Sequence, residues 1–363
     1  MNNKLILNSK NFKNFLIYAV FAIASIIPAI TFGQETEHKP EEKFNTKELI
    51  FEHIGDSHSW HVAIPFVKEI SIPLPVILYT DKGLEVFSSA HFEHGHADYT
   101  GKYYTYRLIK DKVNIVGANN ELLAGANLFK IHGTLIDFSI TRNVISMWMT
   151  IALLLVIFFS VSSAYKNRTG KAPKGLQSFL EPLIVFVRDD VAIPNIGVKY
   201  ARYMPLLLTI FFFILINNLF GLLPVFPGAY NLTGNIAVTL TLAFVVLIVI
   251  NFSGNKYYWK HIFMPDIPWW LYIIMVPVEM IGIISKPFAL MIRLFANITA
   301  GHIIVLSLIS LIFIFNSLAI APVSVIFVVF IDTIELLVAF LQAFIFTMLS
   351  ALFIGAAVEE HHH

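Results

Sequence analysis

The chain has 363 residues, 57% of them hydrophobic and only 13% charged, with a mean hydropathy of +0.72 and a formal net charge of +1. Soluble domains carry about 25% charged residues, so this composition is that of a membrane protein, and the near-neutral balance offers nothing to a nucleic-acid partner. Cysteine is absent, which excludes disulfides, thiolate chemistry and cysteine-held metal sites.

Lys4, Lys10 and Lys13 precede an apolar run from Phe15 to Gly33, the pattern of a signal peptide over residues 1–33. Cleavage is expected after Gly33, with Thr31 at the −3 position; the alternative is an uncleaved anchor helix. Pro28 and the abrupt change to "QETEHKPEEK" favour cleavage, and either way the following residues lie outside the cytoplasm. Residues 34–140 contain no window long enough to span a bilayer. "VAIPFVKEISIPLPVILYTDKGLEVFSS" and "YYTYRLIKDKVNIVG" have the make-up of short strands, with a hairpin turn at Asp81–Gly83. A small β-rich extracytoplasmic domain is therefore expected ahead of a membrane domain at 141–363.

The first span expected is 144–164, the second 204–223 and the third 233–252. Two longer apolar stretches follow, at roughly 269–315 and 318–358, each exceeding the ~20 residues that one perpendicular crossing needs. They are expected to be tilted, bent or partly in-plane, as a long helical hairpin. The fold class is thus an all-α polytopic membrane protein of about five passes with a β-rich extracytoplasmic domain. Lys166, Arg168, Lys171 and Lys174 follow the first span, and Lys256 and Lys260 the third, which puts both loops in the cytoplasm. The loop "PVFPGAYNL" (224–232) has no basic residue and faces out. Five passes then leave the N-terminus outside and the C-terminus inside.

Between Leu271 and Val358 the ionisable residues are Tyr272, Glu279, Lys286, Arg293, His302, Asp332 and Glu335. Ionisable groups within a span point by default to function. Glu279, Lys286 and Arg293 are spaced seven apart, two helical turns each, and share a narrow stripe. The plainer reading is a buried seam balanced by ion pairs. If the last two helices fold back through "FNSLA" (315–319), His302 meets the depth of Glu335, and Arg293 that of Gln342. A fixed charge level with an amide, with a His/carboxylate pair nearer the outside, is the layout of a proton route. Nine residues separate Arg293 from His302, about 180° on a straight helix. Either the helix is distorted near Gly301, or the histidine lines a separate path.

"SKPFALMIRLFANITAGHIIV" and "IELLVAFLQAFIFTMLSALFIGAAVEE" resemble subunit a of the F-type ATP synthase, a likeness that extends back through "NIAVTLTLAF", "NNLFGLLP" and "GLQSFLEPLIVFVRDDVA" to cover about 140–360. The resemblance implies a bacterial inner-membrane stator channel beside the rotating c-ring, attached to the peripheral-stalk subunit b and embedded in the lipid bilayer. It implies no cofactor and no catalytic chemistry of the chain's own. Arg293 matches the stator arginine that faces the ring carboxylate and bars direct proton leak between two half-channels. Asn297 and Gln342 match polar residues around it. His302 and Glu335 match the outer half-channel pair, with acid and imidazole exchanged relative to many bacterial members. Glu279 matches a carboxylate of the cytoplasmic half-channel, and Ser285 and Lys286 fall in the S-K-P stretch, where Lys286 reads as structural. Asp332 has no counterpart; it either extends the outer route or is a simple polar contact. The ending "EEHHH" fits a native family terminus or a truncated tag.

Residues from about 62 to 133 depart from the family as an insertion. Its surroundings hold His53, His58, His61, His91, His94 and His96, which bind a metal or are solvated surface groups. Sodium coupling in the same machine is an alternative, against which the His302/Glu335 pair argues. An extracytoplasmic metalloenzyme is another, but no H-E-x-x-H or nucleophile–base motif supports it.

Overall fold

A computed structural model describes residues 55–62, 70–95, 97–109, 111–117, 122–125, 135–167, 172–223, 232–264, 267–315, 317 and 320–359. The expected signal peptide, His53 and His96 lie outside these residues.

The N-terminal part is built from strands β1 (Ser59–Val62), β2 (Ile70–Pro73), β3 (Pro75–Thr80), β4 (Gly83–Ser88), β5 (Tyr99–Thr100), β6 (Thr105–Ile109), β7 (Lys112–Val116), β8 (Leu122–Gly125) and β9 (Ile136–Asp137). They form sheets ordered β1-β2, β4-β3-β9 and β5-β6-β7-β8, every pairing antiparallel. The β3–β4 hairpin closes through Asp81 and Lys82, as expected. Gly83 there takes φ +138°, which a side chain would resist, and its carbonyl accepts from Thr80 Oγ1 at 2.8 Å. Alternation along β3 sends Val76 and Leu78 inward onto Phe92, Tyr106, Val113, Ile115 and Leu135.

Helix α1 (Arg142–Asn167) follows β9 at once. Next come α2 (Leu176–Phe186), a π-helical turn (Val187–Ala192), α3 (Ile193–Ile196) and a 3-10 turn (Gly197–Lys199), then α4 (Tyr200–Leu222) and α5 (Ile236–Ser253). A short α6 (Lys256–Phe263) precedes α7 (Tyr272–Ile314) and α8 (Ala321–Val358). Among the described residues five stretches are long and apolar enough to cross a membrane, and each overlaps one of the five expected spans. Their outer limits differ by a few residues, except at 176–222, which begins well before the expected 204–223. The helical hook at 176–199 is additional, as is α6, whose residues were read as loop.

At 43 and 38 residues, α7 and α8 are about 65 and 57 Å long, well beyond a ~30 Å hydrocarbon core. Three contacts show that they run antiparallel and set their register. Ser324 Oγ donates to the Leu308 carbonyl near the turn, Gly301 abuts Glu335 further in, and Lys286 Nζ lies 5.6 Å from the Phe353 ring centre. The buried face of α8 includes Ala339, Ala343, Thr347, Ser350, Ala351, Gly355 and Ala357, small enough for close approach by α4 and the hook. Thr347 and Ser350 return their hydroxyl hydrogens to their own helix, so their burial leaves no donor unmet. Only 11% of the most apolar window of α7, and likewise of α8, is buried, against 44% for 176–222. The last two helices therefore leave much of their surface to something outside the chain.

Candidate functional site

Leu290, Met291 and Leu294 turn one side of α7 into the helical core. That orientation leaves Ser285, Lys286, Arg293 and Asn297 exposed and Glu279 half-buried. Among the described residues no hydrogen bond or ion pair reaches Arg293, and none joins it to Glu279 or Lys286. Lys286 instead spends its charge over the Phe353 ring. The alternative of a seam neutralised by its own ion pairs is not what the described residues form.

A second locus lies between α4, α7 and α8. A narrow recess there is lined by Asn218, Leu222, Asn297, Ile298, His302, Glu335, Val338 and Ala339. It brings together three residues named from the sequence: Asn297, His302 and Glu335. Helix α7 runs unbroken past Gly301, and Arg293 is not part of this lining. The helix is thus not distorted near Gly301, and His302 lies in a recess of which Arg293 is no part. Gly301 makes the arrangement feasible, since a Cβ at this position would collide with the Glu335 carboxyl group. Glu335 Oε1 is buried without a hydrogen-bond partner among the described residues. Asp332 is half-buried one turn before Glu335, and Gln342 is buried two turns after it at the level of Arg293.

Asn218 is a lining residue that the sequence reading passed over. Its amide nitrogen donates to the Ala339 carbonyl at 3.3 Å and its Oδ1 accepts from Thr233 Oγ1 at 2.7 Å. The neighbouring Asn217 accepts from Thr150 Oγ1 at 2.9 Å and donates to the Phe213 carbonyl. The signal was present: two adjacent amides within an apolar span must be satisfied by partners there.

The histidines of the β-rich part do not assemble into a metal site among the described residues. His58 Nε2 lies 3.1 Å from Asp137 Oδ2, buried and engaged in an ion pair. His91 is exposed and stacks on Tyr99 at 4.7 Å between centroids. His61 lies on β1 and His94 in a 3-10 helix at Ser89–Gly95; their side chains are outside the description. Of the two readings of these histidines, that of a solvated surface group does not hold for His58, whose ring is buried against a carboxylate.

Residues 144–355 match the family model described as ATP synthase A chain, and residues 49–138 match one described as Domain of unknown function (DUF8433). The ATP synthase subunit a of Chloroherpeton thalassium is 52% identical over 232 residues, 62% of this chain and 69% of that one. The ATP synthase subunit a 2 of Prosthecochloris aestuarii is 50% identical over 234 residues, 62% and 71% of the two chains. A third relative, the ATP synthase subunit a of Anaeromyxobacter sp., is 44% identical over 236 residues, covering 63% and 56%. With all but the outermost residues of the membrane helices matched, and a separate module matched before them, the chain belongs to the ATP synthase A chain family.

Proposed function

We propose that this non-catalytic membrane subunit carries protons through two offset half-channels that meet at Arg293 against the rotating c-ring, coupling their flow to ATP synthesis. The observation that carries the reading is an arginine with no partner among the described residues, on the little-covered face of a membrane helix. Arginine at a span centre costs about 2.5–3.5 kcal/mol on insertion scales, and its charge cannot be discharged by deprotonation. A carboxylate on a neighbouring ring subunit supplies the missing counter-charge, and the arginine in turn favours the ionised form of that carboxylate.

The flanking groups fit two separate routes. Glu279 is fourteen residues before Arg293 and His302 nine after it, about 21 Å and 13 Å along the axis in opposite directions. The recess holding His302, Glu335 and Asn297 serves as the outer route, with Asp332 at its approach; Glu279 serves the cytoplasmic one. Gln342, level with Arg293, lends polarity at the crossing. Ser285, whose hydroxyl donates to the Gly282 carbonyl, and Lys286, held over Phe353, shape the helix rather than carry protons. The basic loops support a cytoplasmic C-terminus and an extracytoplasmic N-terminus in a bacterial inner membrane, with subunit b as the stator attachment. An imidazole beside a carboxyl group favours protons over sodium.

The test is ATP-driven acidification of vesicles carrying the assembled complex, with Arg293→Ala compared to the parent. Loss of pumping in a fully assembled complex is expected. Pumping at the parental rate would return Arg293 to a structural role, and pumping that tracks added sodium would replace the proton as the coupling ion.

A further inference from the structure

The β4-β3-β9 sheet carries large apolar side chains on both faces, with Glu85 and Asp137 among those of the inner one. Its inner face holds Val76 and Leu78, whereas alternation sends Ile77, Tyr79, Leu84, Val86, Ile136 and Phe138 to the other. This second face is open: Tyr79 is 51% exposed, Leu84 59%, Val86 61% and Phe138 62%. Register places them in rows, Val86 opposite Ile77, and Leu84 opposite Tyr79 and so in line with Ile136. No charged side chain interrupts the rows. Antiparallel sheets with one solvated face are polar on that face, so an apolar one marks a surface that something covers.

The position of the sheet indicates what covers it. The β3–β9 ladder continues past the strand ends, with Phe138 N–H donating to the Ile77 carbonyl at 2.9 Å and Ile140 N–H to that of Pro75 at 3.1 Å. Two residues later the first membrane helix begins. Arg142 N–H donates to the Ser57 carbonyl, Arg142 Nη2 to that of Gly55 at 2.6 Å, and Asn143 N–H to Asp56 Oδ1. The sheet therefore cannot swing clear of the membrane, and Phe138 stands at most about 14 Å from the first residue of α1. Partly or fully exposed apolar side chains continue from Phe138 through Ile140, Val144 and Ile145 to Trp148 and Ile151 on the outer surface of α1. Arg142, the one charge in that interval, is buried. An aromatic and aliphatic surface continuous with a bilayer-facing helix has the make-up of an interfacial contact.

We infer that this outer sheet face is a lipid-binding surface, by which the extracytoplasmic domain rests on the outer leaflet of the bilayer. The domain then acts as a membrane-seated collar at the head of α1 rather than a freely solvated appendage.

Because the chain lacks cysteine, single labels are free of background within it. Leu84→Cys and Val86→Cys are each labelled with an environment-sensitive fluorophore, any cysteines of the other subunits being replaced. The assembled complex is reconstituted in phosphatidylcholine–phosphatidylglycerol vesicles with and without lipids carrying a nitroxide near the headgroup. Phe159→Cys on exposed α1 and Thr100→Cys on exposed β5 give the lipid and water references, and ATP-driven pumping verifies assembly. Blue-shifted emission at both test positions, with loss of intensity to nitroxide lipid approaching that at Phe159, is expected. Emission like that at Thr100 overturns the inference by showing a solvated face. Blue-shifted emission that nitroxide lipid leaves intact overturns it by showing a protein cover.

Discussion

At the scale of single residues, the site depends on a side chain that is missing. Gly301 lets the Glu335 carboxyl group lie against the backbone of α7, where any Cβ would overlap it. Gly301→Ala is therefore expected to displace Glu335 from the recess it shares with His302 and Asn297, with assembly intact. If Glu335 relays protons as proposed, pumping should slow several-fold, since misplacing such a group by a few tenths of an ångström to an ångström lengthens its transfers. Glu335→Asp added to Gly301→Ala withdraws the carboxyl group by one methylene and should restore part of the rate. A parental rate in the Gly301→Ala complex would show that the carboxyl position is immaterial. Restoration by the double variant separates a crowding effect from a loss of flexibility, which the shorter acid would not repair.

At the scale of elements, a comparable close approach holds the end of α8. A Cβ on Gly355 would run into the Asn195 carbonyl of the hook, while Asn255 N–H and Nδ2–H donate to the Ala357 and Val358 carbonyls, and Lys199 Nζ reaches the latter at 3.4 Å. These donors meet carbonyls that the helix end leaves without partners. Gly355→Ala should cost about 1–3 kcal/mol, as overpacking does, read as a lowered unfolding midpoint of the purified complex in detergent. An unchanged midpoint would mean that α3 yields freely. This junction also shows where the sequence was legible and where it was not. Length and apolarity sufficed for the five crossings, and the spacing of His302, Glu335, Arg293 and Gln342 about the last turn anticipated the α7–α8 register. Residues 176–199 escaped because their order comes from tertiary contact: Val187, Val191 and Ile196 are buried, yet Pro182 and Pro194 break the local helical pattern. The hydrogen bonds that settle Asn218 come from Thr233 and Ala339, distant in sequence, so its place in the recess became visible only once α4 met α8.

At the scale of the whole molecule, two modules of different character are joined by a small polar core. His58 pairs with Asp137 at the end of β9, and around them lie Asp56, which accepts from Asn143 N–H, and Asp111, which accepts from Ser57 Oγ at 3.1 Å. Burial by itself pulls the His58 pKa down, but the hydrogen bond and charge of Asp137, with Asp56 and Asp111 behind it, raise it above the usual histidine value. Burial likewise works to raise Asp137, and the bonds from His58 and Ser139 overcome it and hold its pKa below the usual carboxylate range. The signs fix the pH window. Stability from protonated His58 is fully present below its unfolded value of about 6.5 and is lost as pH rises through the raised folded value. Stability from ionised Asp137 is present above about 3.9 and is lost as pH falls through the depressed one. The joint should be firmest in mildly acidic solution and loosen on the alkaline side. Limited proteolysis of the full complex between roughly pH 5 and 9 reads this as faster cleavage in the β-rich part as pH rises through the histidine range. His58→Gln keeps a hydrogen-bonding amide without the titrating charge, and should flatten that alkaline limb while leaving cleavage of the membrane helices unchanged. A limb that persists in His58→Gln would place the pH sensitivity elsewhere and reduce the His58–Asp137 pair to simple packing.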